Sequence, residues 1–353
     1  MKEKVAICTL YDSINCGTFL QAWSLKKNLE RMDCDVFFVE LKNNNSSISK
    51  KNKVSKVTIK EIIIKLIRKI KLQIKFKKLK SEFKLISLDD LNNDNAMKYV
   101  FVGSDELWNI KNDSFHHYKE FFGYNFKNKK IIAYAPSAGQ AEPKDYEDFP
   151  WVRKCLETMT YAGVRDENTK NIVENLAAKQ AKIVCDPTML LPINEFNFPH
   201  ERKIKDKYMI VYSYSVPKEH QVYLKRYARK NNLKLVSICL YQPWCDLNIN
   251  CHPLEFSSYI QFSECVYTTT FHGTIFTLLN HKKCAIYSCS KKLKDLLEWT
   301  HKEEAMLSLT ATYDEFESLI TKQHSYELFE TIIEKKRKES QKIYIDALKS
   351  CEV

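Results

Sequence analysis

A chain of 353 residues with 44% hydrophobic and 28% charged side chains has the composition of a soluble globular protein, long enough to bury two cores. No apolar run approaches the roughly 20 residues that a membrane span needs. Much of the formal net charge of +12 falls in one segment, so the charge describes a local feature and not a basic surface overall.

In chain order, KVAICTL reads as a strand, FLQAWSLKKNLERM as a helix and DVFFVEL as the next strand, one βαβ unit. The opening MKEKVAICTLYDSINCGT has no small-residue cleavage site, so it reads as strand and not as a secretory leader. The twelve cysteines contain no C-x-x-C pair and sit mostly in apolar runs, as buried thiols do in a reducing compartment; the expected location is the cytoplasm. After the polar NNNSSISKKNK comes a lysine-rich segment from Lys50 to Lys84, in which Ile59, Ile62, Ile63, Leu66, Ile67, Ile70 and Ile74 recur at helical spacing. Such a basic amphipathic helix either packs its isoleucine face on the protein or lies on an anionic membrane surface at its inner face. Nucleic acid is not expected, because the segment lacks the interleaved aromatics of single-strand binders and belongs to no nucleic-acid module.

YVFVG, IIAYA, YAGV and AKIVCD read as further strands, with the helix ENTKNIVENLAAK between the last two. LLPINEFNFPHERKIKDK reads as a linker, and a second series of alternating strands and helices runs from YMIVYSYS to KCAIYS. The alternation predicts an α/β protein with parallel sheets. The expected division is an N-terminal domain over 1–195 with a basic insertion near 50–84, a C-terminal domain over 205–300, and a helical tail over 301–353 that packs back across both.

Of only six glycines, Gly17, Gly103, Gly139 and Gly273 directly follow a predicted strand. In open α/β sheets ligands bind beyond the carboxyl ends of the strands, so these turns outline a cleft. The sharpest motif is ECVYTTTFHGTIFTLLN, a strand, a turn and a helix expected to begin near Thr274. A helix N-terminus favours an anion such as phosphate. Gly273 would admit the backbone, Thr270 and Thr274 would donate hydroxyls, and His272 at the rim would act as proton donor or as cationic partner of phosphate oxygens. The plain alternative is a buried histidine satisfied by backbone. In TYAGVRDENTK a strand delivers Arg165, whose fork matches carboxylate or phosphate, or which pairs structurally with Asp166 or Glu167. The loop YDSINCGTFLQ has neither G-x-G-x-x-G nor a Walker lysine. GSDELW gathers Ser104, Asp105 and Trp108, a hydroxyl, a carboxylate and an indole that suit a sugar, although Trp108 fits a core equally well. Cys239, Cys245 and Cys251, followed by His252, are evenly spaced but match no common zinc pattern, and no metal is expected.

Taken together, N-x-G-T-x-L-Q at Asn15 to Gln21, GSD-x-x-W at Gly103 to Trp108, APSAG at Ala135 to Gly139, V-R-D at Val164 to Asp166, DPT-x-LL at Asp186 to Leu191 and T-x-FHG at Thr269 to Gly273 resemble the ordered motifs of the polysaccharide pyruvyl transferase family. The resemblance runs from about Val5 to Leu297. It implies a GT-B-like fold, two Rossmann-like domains facing a cleft. It also implies phosphoenolpyruvate as donor substrate without a further cofactor, and a sugar diol, free or lipid-linked, as acceptor in cell-surface polysaccharide biosynthesis. By position it implies donor contacts from Arg165, Thr270, Phe271, His272, Gly273, Thr274 and Lys292, with His272 as general acid and Arg165 clamping the donor carboxylate. On the acceptor side it implies Asp12, Asn15, Gly17, Thr18, Gln21, Ser104, Asp105, Trp108 and Ser137; the sequence does not identify the base that takes the hydroxyl proton, for which Asp105 and Asp12 are the candidates. Departures are Glu106 where glutamine is usual, Cys16 where an aromatic is common, and Thr270 where serine is usual. The rival readings are a GT-B glycosyltransferase using a nucleotide sugar and a catalytically silent, membrane-associated scaffold of polysaccharide assembly.

Overall fold

The computed structural model describes residues 2–41, 59–112, 118–196, 201–288 and 290–349. The N-terminal half contributes β1 (Glu3–Cys8), α1 (Cys16–Arg31), β2 (Cys34–Val39), α2 (Ile59–Leu79), β3 (Lys84–Ile86), α3 (Leu88–Asn93), β4 (Tyr99–Val102), β5 (Lys130–Tyr134), α4 (Pro150–Thr158), β6 (Tyr161–Val164), α5 (Glu167–Ala177) and β7 (Lys182–Ile183). These strands form one parallel sheet in the order β3-β2-β1-β4-β5-β6-β7. The C-terminal half contributes β8 (Tyr208–Tyr212), α6 (Lys218–Lys230), β9 (Lys234–Ile238), β10 (Leu247–Ile249), α7 (Phe256–Gln261), β11 (Cys265–Thr268), α8 (Phe271–Leu279), β12 (Lys283–Ile286), α9 (Lys291–Trp299), α10 (Tyr313–Thr321) and α11 (Glu327–Lys349). Its parallel sheet has the order β10-β9-β8-β11-β12.

The strand sequences explain the sheets. Val5, Ala6, Ile7 and Cys8 of β1, and Val100, Phe101 and Val102 of β4, are buried on both faces, as the continuous apolar runs of helix-covered parallel strands require. Each sheet reverses its winding once, between β1 and β4 in the first and between β8 and β11 in the second. Crevices at such switch points are where open α/β sheets bind ligands. A single apolar cluster joins the halves: Trp23 of α1 meets Phe196 at 5.7 Å, and Phe196 meets Phe276 of α8 at 5.0 Å.

The tail does more than close the chain. Tyr326, just before α11, donates its hydroxyl to Lys282 O at 2.8 Å in the C-terminal half. Further along α11, Arg337 donates to Met189 O at 2.9 Å, and the Tyr344 ring lies 4.4 Å from that of Tyr134 in the N-terminal sheet.

The basic segment differs from its expectation in one respect. The helix is present from Ile59 to Leu79 and Lys84 opens a strand; residues 50–58 lie outside the described residues. The buried face carries Leu72, Phe76 and Leu79, a second apolar stripe whose Phe76 ring packs 6.3 Å from Phe19 of α1. The isoleucine face is turned to solvent: Ile63, Leu66, Ile67, Ile70 and Ile74 are 46% to 57% exposed. The reading in which those isoleucines pack on the protein is therefore wrong, because the aromatic stripe meets partners on α1 and takes their place. Among the described residues no helix is long and apolar enough to cross a membrane.

Candidate functional site

A cavity of about 560 Å³ opens where the two switch points face each other. From the first half Asn15, Thr18, Asp105 and Glu106 line it; from the second come Tyr212, Tyr214, Thr270, Phe271, His272 and Lys292. Leaving β11, the chain turns at Thr270, whose side-chain oxygen accepts from Gly273 N at 3.0 Å and starts α8 at Phe271. The helix thus begins three residues before the position expected from sequence, and His272 stands in its first turn. Its side chain is 12% exposed and packs directly on Gly17: a Cβ at Gly17 would overlap the imidazole Cγ and Nδ1. Gly17 is consequently the seat of His272 and not an acceptor contact.

Beneath His272 lies an ion cluster. Asp186 Oδ2 is 3.7 Å from His272 Nε2 and 3.3 Å from Arg165 Nη1, and Asp105 Oδ1 is 3.9 Å from the same guanidinium nitrogen. Burial by itself would raise Asp186. The opposing pull of His272, of the Arg165 charge and of the Thr188 hydroxyl wins, and holds it below the usual carboxylate range. The Arg165 guanidinium also stacks 4.5 Å from the centre of the Phe271 ring. Arg165 Nε and Nη2, together with His272 Nε2, have no hydrogen-bond partner among the described residues. Buried polar groups of this kind are normally satisfied, so these three nitrogens mark the cluster as an exception in an otherwise paired interior.

Arg165 pairs with Asp186 and Asp105 and not with Asp166 or Glu167. It lies behind Phe271 and borders a second cavity of about 440 Å³ with Asp295 and Trp299, so it supports the first cavity's wall without forming it. Lys292, and not the neighbouring Lys291 or Lys294, faces the cavity, and there it is ion-paired with Glu106 of the opposite half. Burial would raise Glu106, but Lys292, the Asn109 amide and the Arg165 charge together outweigh it and hold the carboxyl below its usual range. A second bridge across the cavity is the Asn15 amide, which donates to the Tyr214 hydroxyl at 2.6 Å.

Several residues expected at the site hold it up from behind. Gln21 accepts from Ser104 Oγ at 2.6 Å and donates to Leu10 O at 3.0 Å, tying the loops after β1 and β4 together. Ser137 donates to Asp166 at 2.6 Å, and its amide donates to Asp105 O at 2.8 Å. Thr274 spends its hydroxyl on Thr270 O at 3.0 Å within its own helix, and Gly273 is fully buried where a side chain would strike Thr268, Thr270 and Tyr212. Trp108 is a core residue: 1% exposed, stacked 5.4 Å from Phe122 and donating its indole N–H to Phe121 O at 2.6 Å, it has no face for a sugar. Asp12 is exposed and outside the cavity lining, whereas Asp105 lines it and accepts from Thr18 Oγ1 at 3.0 Å. Of the two residues considered as base, only Asp105 faces the cavity.

Asp186, part of the DPT-x-LL run, is the site residue that the sequence leaves without a role. The signal available was an aspartate followed by proline directly after a strand, a placement that fixes a carboxylate at a strand's carboxyl end. Among the cysteines and histidine considered for a metal, Cys245 packs apart from Cys239 and Cys251, beside Leu235 and Val216, and His252 caps the next turn by accepting from Leu254 N at 3.3 Å.

The seat of His272 predicts a measurable effect. Gly17→Ala should lower turnover by roughly 10²-fold through displacement of the imidazole, with thermal unfolding little changed. Steady-state rates beside a circular-dichroism melt test this, and unaltered turnover would remove Gly17 from the positioning of His272.

Comparison with known proteins gives the same picture at two levels. A family model described as polysaccharide pyruvyl transferase matches residues 15–291, most of the chain. No curated protein matches it significantly. Among solved structures, UDP-GlcNAc 2-epimerase from Methanocaldococcus jannaschii superposes with a TM-score of 0.54 at 8% identity, covering 92% of this chain and 92% of its own. A further UDP-N-acetylglucosamine 2-epimerase gives a TM-score of 0.55 at 12% identity over 99% and 96% of the two chains. An alpha-glucosyltransferase in complex with UDP gives 0.51 at 7% identity over 96% and 94%. At such identities the likeness is one of fold, the GT-B arrangement of two Rossmann-like domains around a cleft.

Proposed function

Because the chain belongs to the polysaccharide pyruvyl transferase family, we propose that its cavity transfers the pyruvate unit of phosphoenolpyruvate to a sugar diol as a cyclic ketal, releasing phosphate. The observation that carries this reading is the histidine of the Thr-Phe-His-Gly turn, set between Gly17 and the Arg165–Asp186 pair on the wall of a cavity at both switch points. His272 delivers a proton to the methylene carbon of the donor, which leaves C2 electron-poor. Asp105 takes the proton of the attacking sugar hydroxyl; the C2–O bond to phosphate then breaks, a second hydroxyl adds to the electron-poor C2 to close the ketal, and its proton passes to His272, which restores the acid. The N-terminus of α8 and Lys292 stabilise the departing phosphate.

Calorimetric titration of phosphoenolpyruvate into the wild type, His272→Ala and Arg165→Ala is the direct test. Saturable binding that weakens in both variants supports the reading. Binding of UDP- or GDP-sugars in its place would transfer the site to a nucleotide-sugar glycosyltransferase. Lys292 must exchange Glu106 for donor phosphate, so Glu106→Gln should tighten phosphoenolpyruvate binding several-fold, and the same titration reads it; unchanged or weaker binding would show that the pair does not compete with the donor.

The solvent-facing row of Ile63, Leu66, Ile67, Ile70 and Ile74, with exposed Lys69, Lys71, Lys77 and Lys78 on the same helix, favours an acceptor presented at an anionic lipid surface on the cytoplasmic side. The chain should sediment with phosphatidylglycerol vesicles at low salt and not with phosphatidylcholine vesicles, and Ile67→Asp with Ile70→Asp should abolish this. Equal partition to both vesicles, or none, would leave a free sugar nucleotide as the better acceptor.

A further inference from the structure

Three cysteines from distant parts of the sequence meet beside the cleft. Cys16 is the first residue of α1, Cys239 follows β9 directly, and Cys251 lies two residues past the end of β10. Cys16 Sγ stands 3.4 Å from Cys239 Sγ, Cys239 Sγ stands 3.3 Å from Cys251 Sγ, and all three sulfurs lie within 4.8 Å of one another. Among the described residues no other group of three metal-ligating side chains is this compact. We infer that Cys16, Cys239 and Cys251 form a site for one thiophilic d10 metal ion, Zn²⁺ or Cu⁺, that clasps the two halves of the molecule beside the cavity.

The geometry fits such an ion. A tetrahedral zinc with sulfur at about 2.3 Å holds its thiolates about 3.8 Å apart, so the Cys16–Cys239 and Cys239–Cys251 pairs need to part by about half an ångström, and the third pair already lies within 4.8 Å. A disulfide could join only two of the three and would leave the third thiol buried beside it. Backbone fixes the positions: Cys239 N donates to Ile249 O at 2.7 Å, and Cys239 adopts a left-handed φ of 58°, which turns the chain after β9 toward Cys251. Cys16 is fixed by the Asn15 cap, which accepts from Gly17 N at 2.8 Å.

Electrostatics point the same way. Cys16 stands at the N-terminus of a 16-residue helix, where the dipole favours a thiolate. The Arg68 guanidinium, anchored on Asn248 O at 2.8 Å and on the Tyr241 ring at 5.2 Å, sends its positive field to Cys239. The thiol protons leave when a cation enters among the sulfurs. Thiolate sets of this softness select zinc or copper(I) over magnesium or calcium. Zinc would take a small fourth ligand, while copper(I) is satisfied by three sulfurs, and this distinguishes the two ions experimentally.

The test uses the full chain purified under reducing conditions without chelator. Elemental analysis should find about one zinc or copper per chain, the element deciding between the two ions. After removal of the metal, titration with Co²⁺ should produce a thiolate-to-cobalt charge-transfer band and the visible bands of a tetrahedral site. Both should disappear in Cys239→Ser and in Cys251→Ser and persist in Cys245→Ser, the control for a buried thiol outside the cluster. In the copper arm, Cu⁺ should resist a bathocuproine competitor in the wild type and be lost to it in Cys239→Ser. The proposal falls if the purified chain carries no stoichiometric metal and shows neither the cobalt band nor copper retention, or if these signals survive Cys239→Ser. None of these readouts depends on pyruvyl transfer, so failure here leaves the proposed function untouched.

Discussion

His272→Ala should lower the rate of pyruvyl transfer by about 10² to 10⁴-fold while leaving the fold intact, the usual effect of removing a positioned general acid. The fold survives because the imidazole is a small part of the interface: Arg165 keeps its 3.3 Å contact with Asp186, Thr270 still caps α8, and Gly17 simply loses a neighbour. Phosphate release with a sugar acceptor, measured beside urea unfolding, separates the two effects. A variant with near-wild-type turnover would remove His272 from the chemistry. A variant that fails to fold would instead assign the ring a structural duty, which its 12% side-chain exposure at the cavity wall argues against.

The largest stability effect should come from Asp186. Replacing it by alanine leaves the buried Arg165 guanidinium with Asp105 at 3.9 Å as its nearest carboxylate, and breaking one partner of a buried ion pair costs about 3 to 5 kcal/mol. The sign with pH follows from the depressed carboxyl. A group ionising more readily in the folded state stabilises it fully above the unfolded value of about 3.9, and that contribution is lost as pH falls through the folded value. The stability gap between wild type and Asp186→Asn should thus be flat from neutral pH down to about 5 and narrow below it. Urea midpoints across that range would show it, and a gap that widens on acidification would contradict the assignment of Asp186 as the carboxylate that compensates Arg165.

The alternation of apolar strands and amphipathic helices was legible because each core strand is buried on both sides, so its sequence is a run of Val, Ile and Phe. Shorter elements escaped. β3 is three residues with Lys84 and Leu85 exposed, and α4 begins at a proline within a polar stretch. Motif positions were legible too, but their duties were not. Ser104, Gln21 and Ser137 have the side chains of a sugar site, yet Ser104 and Gln21 bond to each other and Ser137 bonds to Asp166, a fact fixed by pairings across 29 to 83 residues of sequence. Trp108 went to the core because Phe121 O receives its N–H. The isoleucine stripe of α2 misled because periodicity reveals that a face exists, while the rings of Phe19 and Phe83 decided which face is covered. Cys16 drew notice only as a departure from an aromatic, since its partners lie more than 220 positions away.

The helix that ends the chain has a consequence for how substrates arrive. Anchored near Lys282 at one end and against Tyr134 at the other, α11 splints the two sheets on the far side of the cleft, while Asn15 holds Tyr214 and Glu106 holds Lys292 across its mouth. Many two-domain proteins grip a ligand by swinging shut, and the swing lets them accommodate guests of different girth. A slot splinted in this way presents every guest with one gauge, set by walls that are already tied together before anything enters.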